Sequence, residues 1–291
     1  MMQQEFDCLV PQRDFSRRDF VRASVGSGFA AAVLPVNAQA VVKTSSDGLL
    51  TGEVSIPVGG FKMPAYRAAP LNKRNPPVVL VVSEIFGVHE YIADVARRFA
   101  RQGFFAVAPE LFVRHGDAQS YGEISRLIAE VVSKASDAQV IGDLDATVAW
   151  AQQQGAAVDR LGITGFCWGG RIVWLYAAHS PLLKAGVAWY GRLLGDISHN
   201  NPKRAIDLAG QLKAPVLGLY GGQDGGIPVA SVAAMQEALS RGSAAARRSK
   251  FVVFPEAGHA FHADYRPSYR QAAAEEGWRL ALQWFKTHGV A

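Results

Sequence analysis

The sequence predicts an α/β fold: a single domain with a mostly parallel central sheet and helices on both faces. Three observations carry that expectation. Apolar runs rich in β-branched residues alternate with amphipathic stretches along nearly the whole chain after residue 50, the rhythm of βαβ units. Pro77-Val78-Val79-Leu80-Val81-Val82 is continuously apolar, as a strand buried on both faces of a parallel sheet must be. Leu161-Gly162-Ile163-Thr164-Gly165-Phe166-Cys167-Trp168-Gly169-Gly170-Arg171 passes from an apolar run through Gly-x-Cys-x-Gly-Gly into a helical pattern (Ile172, Val173, Leu175, Tyr176), which reads as strand, tight turn and helix. A chain of 291 residues builds one large α/β domain or two small ones. With no internal repeat, low-complexity tract or linker, one domain over 51–291 is expected.

The first forty residues read differently. Ser16-Arg17-Arg18-Asp19-Phe20-Val21 is followed by a weakly apolar run over 23–36 and by Ala38-Gln39-Ala40. A charged start, an apolar stretch and a small-x-small ending are the parts of an export signal. The paired arginines predict the twin-arginine route, cleavage after Ala40 and a periplasmic or secreted product. The export machinery is then a partner of the precursor. The run is short and rich in glycine and alanine, and no later stretch reaches the roughly 20 apolar residues of a membrane span. Cleavage removes Cys8, leaving Cys167 as the one thiol of the mature chain, so Cys167 forms no internal disulfide.

After a polar connector over 41–50, alternation over 53–69 around Gly59-Gly60 predicts a β-hairpin. The buried strand over 77–82 delivers Ser83-Glu84-Ile85-Phe86-Gly87. A helix through Ile92, Val95, Ala96 and Phe99 stops at Gly103, and a strand over 104–108 follows. Helical stretches are expected over 124–132 and 137–153. After the cysteine turn come a strand over 185–190 and a weakly periodic loop over 192–213, placed to line or cover a site. A strand over 215–220 delivers Gly221-Gly222-Gln223-Asp224, and a helix spans 229–239. The last strand, 250–254, delivers Pro255-Glu256-Ala257-Gly258-His259, and a closing helix runs over 268–288.

Composition narrows the chemistry. Hydrophobic residues make up 49% and charged residues 19%, ordinary values for a globular domain, and the net charge of +5 is scattered rather than gathered into a nucleic-acid surface. In open parallel sheets, ligands bind at the C-terminal strand ends. Cys167, Asp224 and His259 all fall just past strands, in the nucleophile–acid–base order of α/β-hydrolases. A cysteine at a helix N-terminus is placed to favour the thiolate. The histidine takes its proton, and the aspartate fixes the imidazole tautomer. Read singly, Cys167 also fits a buried structural cysteine, Asp224 a turn residue and His259 a loop histidine, but three matches at three successive strand ends favour the triad. His259-x-x-His262 with Asp264 lacks the i,i+4 helical spacing of a zinc pair, so no metal is expected.

Over nearly all of residues 50–288 the chain resembles the dienelactone hydrolase (carboxymethylenebutenolidase) family. The motifs carrying the resemblance are Ser83-Glu84-Ile85-Phe86-Gly87, Gly165-Phe166-Cys167-Trp168-Gly169-Gly170, Gly221-Gly222-Gln223-Asp224 and Ala257-Gly258-His259-Ala260-Phe261. The resemblance implies an α/β-hydrolase fold and a cofactor-free hydrolase that opens a small-molecule ester or lactone through a covalent thioester. It implies a Cys167–His259–Asp224 triad, with Glu84 facing the thiol and controlling thiolate formation. It also implies an oxyanion site made by the backbone N–H groups of Trp168 and Ile85. The chain departs from the family at the arginine four residues past the histidine, which grips a substrate carboxylate and is Ala263 here. Arg266 stands nearby as its replacement, beside Asp264. A second family arginine, ahead of the elbow, has two candidates, Arg114 and Arg126. Tyr190 and Phe86 complete the substrate-binding candidates. The rival readings are a broad esterase or thioesterase, and a non-catalytic periplasmic binding or thiol-sensing protein on the same scaffold.

Overall fold

The computed structural model describes residues 41–291. The expected leader over 1–40, with Arg17, Arg18 and Cys8, lies outside them. Strands β1 (Leu49–Val58) and β2 (Phe61–Pro70) form the expected hairpin. Gly59 and Gly60 both take positive φ (52° and 85°), as a two-residue turn matched to strand twist requires. The first strand starts inside the 41–50 connector. Ahead of it the Thr44 N–H donates to Asp94 Oδ1 at 2.6 Å, and Arg97 Nε donates to the Thr44 carbonyl at 3.1 Å.

Six further strands complete one eight-stranded sheet: β3 (Pro77–Val82), β4 (Phe105–Pro109), β5 (Ala157–Phe166), β6 (Leu183–Trp189), β7 (Val216–Gly221) and β8 (Lys250–Phe254). Their order is β1-β2-β4-β3-β5-β6-β7-β8. The hairpin pairs antiparallel with β4, and every pair from β4 through β8 is parallel. All six residues of β3 are buried, which explains its uninterrupted apolar sequence.

The helices are α1 (Glu90–Arg101), α2 (Ile124–Glu130), α3 (Asp137–Gln153), α4 (Trp168–His179), α5 (Val229–Ser240), α6 (Ala244–Arg248) and α7 (Gln271–Thr287). Two glycines of β5 show how they divide between the faces. Gly162 and Gly165 are an odd number of residues apart, so they face opposite sides of the sheet. Gly162 abuts Phe285 of α7, whereas Gly165 abuts Gly169 and Val173 of α4. Helix α1 joins α7 through Phe99 and Trp278, ring centroids 4.4 Å apart. Helix α3 joins α4 through Arg171–Asp137 and Tyr176–Asp145.

The structure differs from expectation mainly around the loops. The segment 192–213 contains a 3-10 turn, Ile206–Gln211, and α6 is an unexpected helix, capped by Ser243, whose Oγ accepts the Ala246 N–H at 3.1 Å. Helix α7 starts three residues later than expected, because the Arg270 N–H donates to the Phe261 carbonyl at 3.0 Å and keeps that segment in the loop. Among the described residues, no helix is long and apolar enough to cross a membrane.

Candidate active site

The turn between β5 and α4 holds Cys167 at φ 53°, ψ −113°, a conformation rare for a residue with a side chain. Surrounding backbone holds it there. The Cys167 N–H donates to the Trp189 carbonyl at 3.0 Å, and its own carbonyl accepts the Gly170 N–H at 3.0 Å. The flanking glycines make room for this crossing. A methyl group on Gly169 would stand 2.5 Å from the carbonyl oxygens of Val82 and Ser83, and one on Gly170 would stand 2.5 Å from that of Trp189. The thiol is free and half-buried. The N–H of Trp168, the first residue of α4, is one of the amides that a helix start leaves without an intrahelical acceptor.

Asp224 follows β7 and His259 follows β8. Their loops are joined by the Gly222 N–H to the Phe254 carbonyl (2.8 Å) and by the Gln223 N–H to the Ala257 carbonyl (2.9 Å). Asp224 is buried and fully engaged. Its Oδ1 accepts the N–H groups of Gly226 (3.0 Å) and Ile227 (3.2 Å), and its Oδ2 stands 2.8 Å from His259 Nδ1. Burial works against a charged His259, yet the neighbouring Cys167 and Asp224 override it and raise the imidazole well above its ordinary value. Tyr190, held at φ 38° beyond β6, sets its ring edge against His259 at 5.2 Å between centroids.

Glu84 lies just beyond β3 and is almost completely buried. Burial alone would raise its pKa. Arg266, with help from His89 and Tyr265, instead lowers it to about 2. Tyr265 Oη donates to Glu84 Oε2 at 2.8 Å, Arg266 Nη2 donates to the same oxygen at 3.2 Å, and His89 Nε2 stands 3.8 Å away. The Arg266 guanidinium also donates through Nε to Tyr265 Oη (2.8 Å) and lies over the rings of Phe86 and Tyr265. Arg266 is therefore the partner of Glu84, and Phe86 stacks against that pair.

Cys167, His259, Trp168, Ile85 and Tyr190 line one cavity of about 480 Å³. The two upstream arginines do not line it. Arg114 is held by Asp143 (2.5 and 2.8 Å) over the Phe61 ring, and exposed Arg126 pairs with Glu130 at 3.0 Å. Ala263 is buried in the core. His262 is committed elsewhere: its Nδ1 stands 2.6 Å from Tyr91 Oη, its ring sits among Phe166, Trp189 and Trp278, and burial lowers its pKa. Among the described residues no group of three or more histidine, cysteine or acidic side chains is placed to hold a metal ion.

Sequence reasoning missed several contributors. Tyr265 sits beside Arg266 in the chain, but no spacing or motif gave it a role. Glu110, just past β4, accepts the Val88 N–H at 2.7 Å and so braces the turn that follows Glu84 and Ile85; only its position at a strand end hinted at this. The cavity wall formed by Ile124, Ile128 and Val132 was visible as a four-residue spacing, but nothing in the sequence said which way it faced.

Comparison with known proteins agrees with the geometry. The family model described as "Dienelactone hydrolase family" matches residues 63–289. A Methylorubrum extorquens protein named "Putative carboxymethylenebutenolidase" is 57% identical over 284 residues, covering 97% of each chain. An Escherichia coli K12 protein of the same name is 54% identical over 264 residues, covering 90% of this chain and 96% of its own. The crystal structure of a "Putative Dienelactone Hydrolase" from Klebsiella pneumoniae is 53% identical, with a TM-score of 0.80 over 82% of this chain and 98% of its own. The chain belongs to the dienelactone hydrolase family of carboxylic-ester hydrolases.

Proposed function

We propose that the protein hydrolyses a small-molecule ester or lactone through a Cys167–His259–Asp224 triad. The observation that supports this most directly is the 2.8 Å His259–Asp224 pair, whose histidine lines the same cavity as Cys167 at the strained turn. His259 Nε2 takes the thiol proton, and Sγ attacks the carbonyl carbon to give a tetrahedral intermediate. The N–H groups of Trp168 and Ile85 stabilise its oxyanion. Collapse breaks the ester C–O bond, His259 returns the proton to the departing alkoxide, and a thioester remains. Water, deprotonated by His259, then attacks the thioester, releasing the acid and restoring the thiol. In a lactone the departing alkoxide stays tethered, so one ring-opened product leaves.

The test is acyl-enzyme trapping with an activated ester. A burst of one product equivalent per chain and an acyl mass on the peptide containing Cys167 are expected. Cys167→Ala should reduce turnover by roughly 10⁴-fold or more, with His259→Ala similar and Asp224→Ala less severe, as in triads that act as a unit. Near-normal hydrolysis by Cys167→Ala would overturn the assignment.

We further propose export through the twin-arginine route to the periplasm, on the strength of Arg17-Arg18, the apolar run and Ala38-Gln39-Ala40. Replacing both arginines with lysine should leave full-length protein in the cytoplasm. Normal processing of that variant would refute the proposal.

A further inference from the structure

The cavity beside Cys167 is large and mostly apolar, which bears on the substrate. Its volume of about 480 Å³ falls among pockets that enclose drug-sized ligands, roughly 300–1,000 Å³. At roughly 30 Å³ for each water-sized group, that space takes about sixteen non-hydrogen atoms. One wall is a stripe of three β-branched residues. Ile124 and Ile128 of α2, and Val132 of the 3-10 turn Val132–Lys134 after it, are spaced four apart and stand in line. Leu194 and Ile227 are apolar lining from other elements. The Ser133 hydroxyl, also on this wall, turns back to the Ala129 carbonyl at 3.0 Å.

The charged groups nearby are largely matched. Arg171 is held by Asp137 at 2.7 and 2.8 Å, and Arg204 by Asp207 at 2.7 Å. Arg192, also on the lining, is engaged as well, and Asp196 and Lys203 bring opposite charges to the exposed loop that carries them. Arg266, the candidate grip for a substrate carboxylate, already holds Glu84 and Tyr265, and Ala263 supplies no second cation. A carboxylate carried into this apolar space would be desolvated without a dedicated partner, which is costly.

We infer that the preferred substrate is a neutral ester with an apolar acyl chain of medium length, lying along Ile124, Ile128 and Val132. This rests on the reading of Cys167 as the nucleophile. The chain gains affinity by leaving water, so its length should be read mainly in KM, whereas the attack at Cys167 is the same for every ester in a series.

The experiment is kcat/KM for p-nitrophenyl acetate, butanoate, hexanoate and octanoate, with mono-p-nitrophenyl succinate as the anionic comparison. Each methylene that enters the cavity should contribute about fourfold, so hexanoate should exceed acetate by at least about tenfold, and the succinate should lag behind butanoate. Ile128→Trp fills the space beside the stripe and should lower the hexanoate-to-acetate ratio about tenfold. Ile128→Ala, which loosens the wall without crowding the fold, should lower it less. A flat or falling wild-type series, a succinate faster than butanoate, or a ratio unmoved in both variants would overturn the inference. If the acetate activity vanishes in Cys167→Ala while the series stays flat, the inference fails alone. If acetate hydrolysis survives that substitution, the nucleophile assignment fails instead.

Discussion

Two carboxylates at the ends of adjacent strands meet opposite fates. Glu84, past β3, and Glu110, past β4, are both buried; Glu84 begins the turn that carries Ile85, and Glu110 braces that turn through the Val88 N–H. Glu84 has Arg266, Tyr265 and His89 around it, and its pKa falls to about 2. For Glu110, burial is the dominant influence. The Val88 and Phe112 amides only partly oppose it, Asp117 adds to it, and its pKa rises to about 7. Burial is common to the two, so it does not decide their ionisation. What decides it is whether a cation shares the burial.

The same comparison fixes opposite slopes of stability with pH. Glu84 has a depressed pKa, so its contribution is present above the ordinary 4.5 and is lost as pH falls toward about 2. Glu110 has a raised pKa. The folded protein holds its proton where the unfolded chain has released it, so its contribution is present below 4.5 and is lost as pH rises through about 7.

Glu84→Gln breaks the comparison most severely. It leaves Arg266 a buried cation without a counter-charge, a loss expected to lower stability by about 3–5 kcal/mol in urea denaturation. It should also change the resting thiol. Removing the Glu84 charge leaves the Arg266 cation to favour a negative charge nearby. Alkylation of Cys167 by iodoacetamide at neutral pH should accelerate while turnover falls. An alkylation rate equal to wild type would leave Glu84 with a packing role only.

Glu110→Gln sharpens the comparison with a smaller effect. Its amide oxygen still accepts the Val88 N–H, but it has no charge to bury. The variant should gain up to about 3 kcal/mol over wild type above pH 7 and little below pH 4.5, because a tenfold change in proton affinity is worth about 1.4 kcal/mol. Melting curves at both ends of that range decide it. A gain independent of pH would show that Glu110 does not titrate in the fold.

Legibility in the sequence follows a similar divide. Cys167, Asp224 and His259 stand at strand ends where glycine-rich turns signal their own geometry, because only glycine allows backbone to cross at the distances seen around Gly169 and Gly170. The sheet was readable for a related reason: a strand buried on two faces, such as β3, must be apolar throughout. The loop over 192–213 and the short helix α6 carried too little periodicity to be placed, and their form depends on contacts with distant segments, such as the Ser243 N–H to the Gly210 carbonyl at 3.1 Å.

The sequence by itself therefore determined the α/β order, the strand-end candidates and the family resemblance, since each is written in local pattern and local backbone constraint. Only the tertiary structure decided that Arg266 belongs to Glu84, that Arg114 belongs to Asp143, and that Ile124, Ile128 and Val132 face the thiol's cavity. A side chain's chemistry is set by its type, but its partner is set by which segments the fold brings within a few ångströms. Glu84 and Arg266 are 182 positions apart in the chain, and no local pattern spans that separation.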